Sequence, residues 1–210
     1  MIQHFDLDQA TQLLKGRSNP SYMYNKRELK IIYDWFMANR EKHLEMFSDM
    51  VNNLAGSRVW ENEYTPASLI KLAEILYPLM KGQFLSDEEY QVLLDNASPI
   101  IRDYVYKFEL THSEKILTFL GSVYLGEVII RSYPEDNLQW ELCKLPKSYV
   151  YSGHMVINIT KTIQACPILT FYPFIHGCLR HLYLDEPQDN DYLYTYFFKI
   201  TSPLREIRQD

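Results

Sequence analysis

The sequence predicts an α+β fold that is mainly helical in its N-terminal two-thirds, with a small antiparallel sheet and a helix at the C-terminus. Apolar residues recur at helical spacing up to about residue 133, and helix-capping signals precede several of these segments. Beyond that point, Leu138 to Cys143 and His154 to Ile159 alternate as strands do. We expect a single domain, 1–210, with a helical part (1–133), a small β element plus helix (134–185), and an acidic loop with an aromatic tail (186–210).

The composition is that of a globular protein. Hydrophobic residues make up 47% of the 210 residues and charged residues 23%, which is sufficient for a sizeable core. The net charge of -6 argues against nucleic-acid binding, which requires a concentration of Lys and Arg.

Several features favour a cytoplasmic protein. The first residues, including Asp6 and Asp8, lack the apolar segment of a signal peptide. The longest apolar stretch, Ile116 to Ile130, is shorter than the ~20 residues that a membrane span needs. The cysteines lack paired spacing, so we expect reduced thiols at Cys143, Cys166 and Cys178.

Boundary signals mark the first helices. A short helix is predicted from Asp8 to Lys15, followed by a loop from Gly16 to Tyr22. Asn25 and Glu28 form a capping box that begins a long helix, and Gly56 ends it. Its predicted core face, which slips near Asn39-Arg40, contains Leu29, Ile32, Phe36, Leu44, Phe47, Val51 and Leu54.

Three further helices have capping residues at their starts. Thr65-Pro66 begins one, and Ser86 with Glu89 begins another that extends to about Asn96. A helical segment is also predicted from Pro99 to about Glu109. Thr111 to Ser113 cap the most apolar helix, which ends near Ser132 before a turn at 133–137.

The C-terminal part is less regular. A third strand is predicted within Ile163 to Phe171, where Pro167 would confine it to an edge or bulge. Pro173 then begins a helix that reaches about Leu184, and Asp185 to Asp191 form a loop. The pattern does not assign a state to Tyr192 to Ile200.

The common catalytic and cofactor motifs are missing from the sequence. There is no GxGxxG or GxxxxGK[ST] loop, no GxSxG elbow, no HExxH and no CxxC pair. Gly121 and Gly126 lie within the apolar helix, where they favour close helix packing. We therefore predict no catalytic residue, metal or cofactor.

Two polar clusters are candidate sites. Cys178 and His181 would share a helix face, with His176 rotated away, and two ligands do not complete a zinc site. We interpret them as a half-buried thiol and surface histidines. The acidic residues of the 185–191 loop lack EF-hand spacing. They indicate a solvated loop, with a partner-binding patch as the alternative.

Glu127 is the most informative candidate, because it projects from the apolar stripe of a helix expected to be buried. Arg131, four residues later, is a natural ion-pair partner. A structural ion pair is one interpretation. The other is a carboxylate of raised pKa that anchors a ligand or acts as an acid.

Aromatic residues supply the remaining binding candidates. Trp140 lies on the first predicted strand, where core packing and binding are both open. The tail contains Tyr194 and Tyr196 among other aromatic residues, a composition typical of interfaces. This aromatic composition is equally consistent with docking of the tail onto its own domain.

Two segments resemble a group of small uncharacterised bacterial proteins. Tyr64-Thr65-Pro66-Ala67-Ser68-Leu69 resembles their [ST]PxSL helix start, and Val123-Tyr124-Leu125-Gly126-Glu127-Val128-Ile129 resembles their YLGEV helix. A strand with tryptophan follows, here Trp140, although the usual glycine pair before it is replaced by Glu135-Asp136-Asn137. The resemblance covers roughly residues 50–180 and implies an α+β accessory protein. Some members of the group are regarded as immunity or partner proteins of contact-dependent toxin systems.

Three hypotheses follow. The first is a non-enzymatic protein-binding protein of the bacterial cytoplasm, of immunity or accessory type, with a partner such as a cognate toxin. The second is a small-molecule-binding protein or enzyme with a pocket around Glu127. The third is a homo-oligomer formed through Tyr192 to Ile200.

Overall fold

The computed structural model describes residues 5–14, 20–99, 102 and 105–207. The fold is α+β and mainly helical, as predicted. The helices are α1 (Leu7–Gln12), α2 (Pro20–Met23), α3 (Lys26–Ala55), α4 (Pro66–Leu76), α5 (Asp87–Asn96), α6 (His112–Ser132), α7 (Pro167–Leu184) and α8 (Tyr192–Ile207). The strands are β1 (Gln83–Phe84), β2 (Phe108–Glu109), β3 (Trp140–Leu142), β4 (Met155–Asn158) and β5 (Gln164–Ala165).

The strands form two antiparallel sheets. One has two strands, with Phe84 of β1 opposite Phe108 of β2. The other has the order β3-β4-β5, and its central residue Ile157 lies between Trp140 and Ala165. Trp140 and Ile157 are both buried, so this sheet contributes one face to the core.

The predicted capping signals are confirmed. The Asn25 side chain accepts hydrogen bonds from the backbone of Arg27 and Glu28, and Gly56 ends α3 with a φ of 68° in the left-handed region. Thr65, Ser86 and Thr111 cap α4, α5 and α6 in the same manner. The sequence therefore fixes where these helices begin through local hydrogen bonds.

Helix α6 lies at the centre of the fold. Every residue from 117 to 129 is buried, and α6 packs against α1, α3, α4, α7 and α8. A helix that is buried all round has apolar residues on every face. Gly121 lets α7 approach, because a Cβ at that position would overlap the Phe171 ring. This confirms the predicted role of Gly121 in close packing.

The predicted core face of α3 is confirmed except at its end. Buried positions include Leu29, Phe36, Phe47 and Val51. Leu54, however, is 39% exposed, so the inward prediction for this residue was wrong. It lies in the last turn of the helix.

The predicted helical part contains a two-stranded sheet that was not predicted. Phe108 and Glu109 form β2 and pair with β1, so the helix predicted from Pro99 to Glu109 is wrong at its end. Residues 100, 101, 103 and 104 of that segment lie outside the described residues. Phe108 is buried and Glu109 less so, which is the alternation of a strand.

The start of α7 was also predicted wrongly. The third strand ends at Ala165, and Pro167 occupies the first turn of α7, where its missing N–H costs nothing. Pro173 lies inside the helix rather than at its start. The sequence pattern contains two prolines that suit a helix start, and the structure uses the earlier one.

The structure also corrects the prediction near the N-terminus and assigns a state to the tail. Pro20 to Tyr22, predicted as loop, belong to α2, and the opening helix ends at Gln12; residues 15–19 lie outside the described part. The unassigned tail forms α8, which buries one stripe on α4, α6 and α7: Leu193, Phe197, Thr201 and Leu204.

No helix in the described ranges is long and apolar enough to cross a membrane.

Candidate functional site

Glu127 occupies the junction between α6 and β3. Its neighbour Gly126 allows Trp140 to lie directly on α6, because a Cβ at Gly126 would overlap the indole ring. The ring packs edge-on against Phe36 of α3 with centroids 4.9 Å apart, and Tyr33 donates a hydrogen bond to the Trp140 carbonyl at 2.9 Å. Trp140 is therefore held between α3 and α6.

The Glu127 carboxylate is 3% exposed and has three partners. Its Oε1 accepts a hydrogen bond from the Trp140 indole N–H at 2.9 Å, and its Oε2 accepts one from Arg131 Nε at 3.1 Å. The Arg40 Nε lies 3.4 Å from Oε1 as an ion pair, although it is not aligned for a hydrogen bond. A buried carboxylate needs this degree of compensation. The predicted pairing of Glu127 with Arg131 is confirmed.

The two arginines continue the network towards the surface. Glu41 approaches Arg40 at 3.3 Å and Arg131 at 3.7 Å. The Arg131 guanidinium also lies 3.7 Å from the centroid of the Tyr64 ring, a cation–π contact. Two carboxylates and two guanidinium groups balance in charge, so the network needs no added ion.

A second polar contact joins α4 to α6. Tyr124 and Ser68 are hydrogen-bonded through their hydroxyls at 2.6 Å, and the Tyr64 backbone N–H donates to the Tyr124 hydroxyl at 3.3 Å. Burial raises the pKa of Tyr124 to about 12. The hydroxyl therefore stays protonated and serves as a structural link.

The segments that carry the family resemblance thus meet in space. Tyr64 and Ser68 belong to the first, Tyr124 and Glu127 to the second, and Trp140 to the strand that follows. Their contacts join α4, α6 and β3. These residues specify packing between elements.

The histidine and cysteine cluster does not converge on a metal site. Cys178 is buried, and burial raises the pKa of its thiol to about 12, whereas burial lowers the pKa of His176 to about 4. His181 bonds through Nδ1 to the Glu186 carbonyl at 2.6 Å. In the part of the chain that the structure describes, no group of three or more His, Cys, Asp or Glu is placed to hold a metal ion.

The aromatic tail residues lie apart from Glu127. Tyr196 faces the domain, where burial raises its pKa and the Thr170 hydroxyl and Cys166 backbone are its partners. Tyr194 is half-buried and packs on Phe198 with ring centroids 4.6 Å apart. The tail therefore docks onto its own domain through α8, the alternative left open by the sequence.

Two shallow hollows are present on the surface. One is lined by Ser48, Asn52 and Arg58 among others, and the second by Tyr194, Thr195, Phe198 and Lys199. Neither is lined by Glu127. The carboxylate thus faces protein groups rather than either hollow.

The most unusual surface is one that the sequence analysis did not identify. None of the ten residues of α5 is buried, although the flanking residues Leu85 and Ala97 are. Val92 is 58% exposed, and Phe84 of β1 is 64% exposed. We call the described residues of 83–109 the acidic arm. The apolar residues of the acidic arm do not follow helical spacing, so periodicity in the sequence did not predict this surface.

The acidic arm lies beside the C-terminal end of α7. The Phe84 ring packs on the Tyr183 ring with centroids 4.7 Å apart, and the Tyr183 hydroxyl donates to the Lys81 carbonyl. Two α7 side chains near this contact, Leu182 and Leu184, are also exposed. The arm and the end of α7 together present apolar residues to solvent.

Arg40, Glu41 and Tyr33 were also missed as partners of the Glu127 network. A signal existed for Arg40. The apolar pattern of α3 slips at Asn39-Arg40, and Arg40 lies four residues after buried Phe36, on the same helix face. Tyr33 and Glu41 have no such signal.

Compared with protein-family models, curated proteins and solved structures, the chain matches none of them.

Proposed function

We propose that this protein acts by binding another protein, without catalysis, as an accessory or immunity-type protein of the bacterial cytoplasm. The resemblance of Tyr64 to Leu69 and Val123 to Ile129 favours this class, and its partner would be a protein such as a cognate toxin. The acidic arm is the docking element in this proposal.

The observation that carries the proposal is the exposure of α5. A helix of ten residues is marginal in isolation, and most helices in proteins are stabilised by burying an apolar face. Helix α5 buries no residue and presents Val92 and Leu93 to solvent. An exposed apolar patch with a polar rim is typical of an interaction surface.

The alternative function around Glu127 has less support. A ligand-anchoring carboxylate needs free oxygen lone pairs and a concave site. Both Glu127 oxygens have partners in Trp140, Arg131 and Arg40, and Glu127 lines neither of the two hollows described above. These contacts favour a structural ion pair.

The experiment is affinity purification from the cells that encode the protein, with the wild type and the V92Q/L93Q variant. Glutamine keeps helix propensity while removing the apolar contact. We expect a stoichiometric protein to accompany the wild type and to be lost from V92Q/L93Q, after which its binding is reconstituted from purified components.

Leu54→Gln provides the matched control, since Leu54 is an exposed apolar helix residue outside the acidic arm. The control should retain the partner. Recovery of no stoichiometric protein with the wild type, or equal recovery with V92Q/L93Q, would contradict the proposal.

A further inference from the structure

A second exposed apolar surface is built from α2 and the loop between β3 and β4. Tyr22 is 64% exposed and Val150 is 59% exposed, and Met23 of α2 and Leu145 of the loop are also exposed. Lys144 and Lys147 lie in the same loop. We call these six residues the basic patch.

Hydrogen bonds hold the two segments of the basic patch together. The buried side chains of Ser21 and Ser152 are bonded to each other, and Ser152 Oγ donates to the Leu145 carbonyl at 2.8 Å. Lys147 Nζ lies 5.9 Å from the centroid of the Tyr22 ring. Because these contacts fix the loop on α2, the exposed apolar side chains of the basic patch are held by an ordered backbone.

The two surfaces differ in charge. The acidic arm has five acidic side chains against two basic ones among its described residues, a net of -3: Asp87, Glu88, Glu89, Asp95 and Glu109 against Arg102 and Lys107. The six residues of the basic patch include no acidic residue and two basic ones, Lys144 and Lys147.

We infer that the acidic arm of one copy docks on the basic patch of a second copy. The inference rests on the proposed function, since it uses the same arm. Each surface has an apolar centre, with Phe84 and Val92 on one and Tyr22 and Val150 on the other. The first surface has a net negative charge and the second a net positive one, and such complementarity steers association and fixes register.

The symmetry of such a contact follows from its composition. Without two-fold closure such a contact is heterologous, and the two terminal copies of the assembly retain a free arm and a free patch. Association therefore proceeds head to tail beyond the dimer, unless the rotation between copies closes a ring. A protein partner that binds the arm competes with this self-association.

Sedimentation velocity of the purified full chain provides the first test. We expect the average mass to rise with protein concentration and to fall with added salt, because screened charges contribute less. The V92Q/L93Q and L145Q/V150Q variants should each raise the dissociation constant about tenfold or more. Leu54→Gln should match the wild type.

Mixing the two double variants provides the decisive test. V92Q/L93Q retains an intact patch and L145Q/V150Q an intact arm, so each alone should stay monomeric at a concentration at which the wild type associates. An equimolar mixture should form a one-to-one dimer and nothing larger, because its remaining surfaces are the damaged ones.

A wild type that stays monomeric at every concentration overturns the inference, and so does a mixture that does not associate. An assembly that either variant leaves unchanged also overturns it, since both surfaces are required. Circular dichroism confirms that the variants are folded. If self-association fails while V92Q/L93Q still loses a partner that L145Q/V150Q retains, only this inference falls and the proposed function stands.

Discussion

The indole N–H of Trp140 donates a hydrogen bond to Oε1 of Glu127 at 2.9 Å, and both side chains are buried. This contact joins the central helix α6 to the first strand of the three-stranded sheet. Because Arg131 and Arg40 compensate the same carboxylate, loss of one partner affects a connected network rather than a single bond.

Trp140→Phe should destabilise the protein. Phenylalanine keeps an aromatic ring against Phe36 but removes the donor to Glu127. We expect a loss of about 1–3 kcal/mol in the free energy of unfolding, because a buried carboxylate loses a hydrogen bond. Urea denaturation followed by circular dichroism measures it.

The Glu127→Gln background separates this hydrogen bond from ring packing. A neutral acceptor makes a bond roughly half as strong as a charged one, so Trp140→Phe should cost about 1 kcal/mol less in that background. Strict additivity of the two substitutions would show that the negative charge of Glu127 adds nothing to this hydrogen bond.

Gly126→Ala should be among the most damaging small substitutions. The added Cβ would overlap the Trp140 ring, and such overpacking typically costs about 1–3 kcal/mol, occasionally more. Thermal unfolding and urea denaturation both measure the loss.

Gly177→Ala is its matched control in α7. The nearest heavy atom outside its own surroundings lies 3.7 Å from the added Cβ, on the flexible Arg180 side chain. Alanine improves helix propensity, so this variant should be neutral or up to about 1 kcal/mol more stable. Equal losses for the two variants would mean that the approach of Trp140 does not limit position 126.

Local signals predicted much of the helical framework. Capping residues such as Asn25, Thr65 and Ser86 act within one turn, so the sequence alone contains the information for these starts. The ion pair between Glu127 and Arg131 was equally accessible, because four residues separate them on one helix.

What sequence could not supply depends on distant chain segments. The two-residue strand β1 is too short for a period and exists because it pairs with β2 more than twenty residues later. The choice between Pro167 and Pro173 as the start of α7 also depends on where β5 ends. The exposure of α5 depends on how the other described elements pack around it, which no property of its own residues encodes.

All three cysteines should react slowly in the folded protein. Cys143, Cys166 and Cys178 are buried, and burial raises the pKa of the last two thiols to about 12. At pH 8 they should react with Ellman's reagent far more slowly than glutathione does. Denaturant should release all three. A native cysteine that reacts at the rate of free thiol would contradict the burial.

Stability should fall as the pH is lowered below about 6.5, partly because of His43. This side chain is 3% exposed and lies among Trp35, Phe36 and Phe119. Burial, with a smaller effect of Lys42, lowers its pKa from 6.5 to about 4. Between these values the unfolded state binds more protons than the folded state, so acid favours unfolding.

His43→Phe isolates this effect, because phenylalanine suits the aromatic cluster and does not titrate. Between pH 7 and pH 5 the wild type should lose about 2 kcal/mol more unfolding free energy than the variant. Urea denaturation at the two pH values gives the difference. Carboxylates and the other histidines titrate in both proteins and largely cancel in the comparison. An identical pH dependence in the wild type and His43→Phe would mean that His43 is already accessible to protons in the folded state.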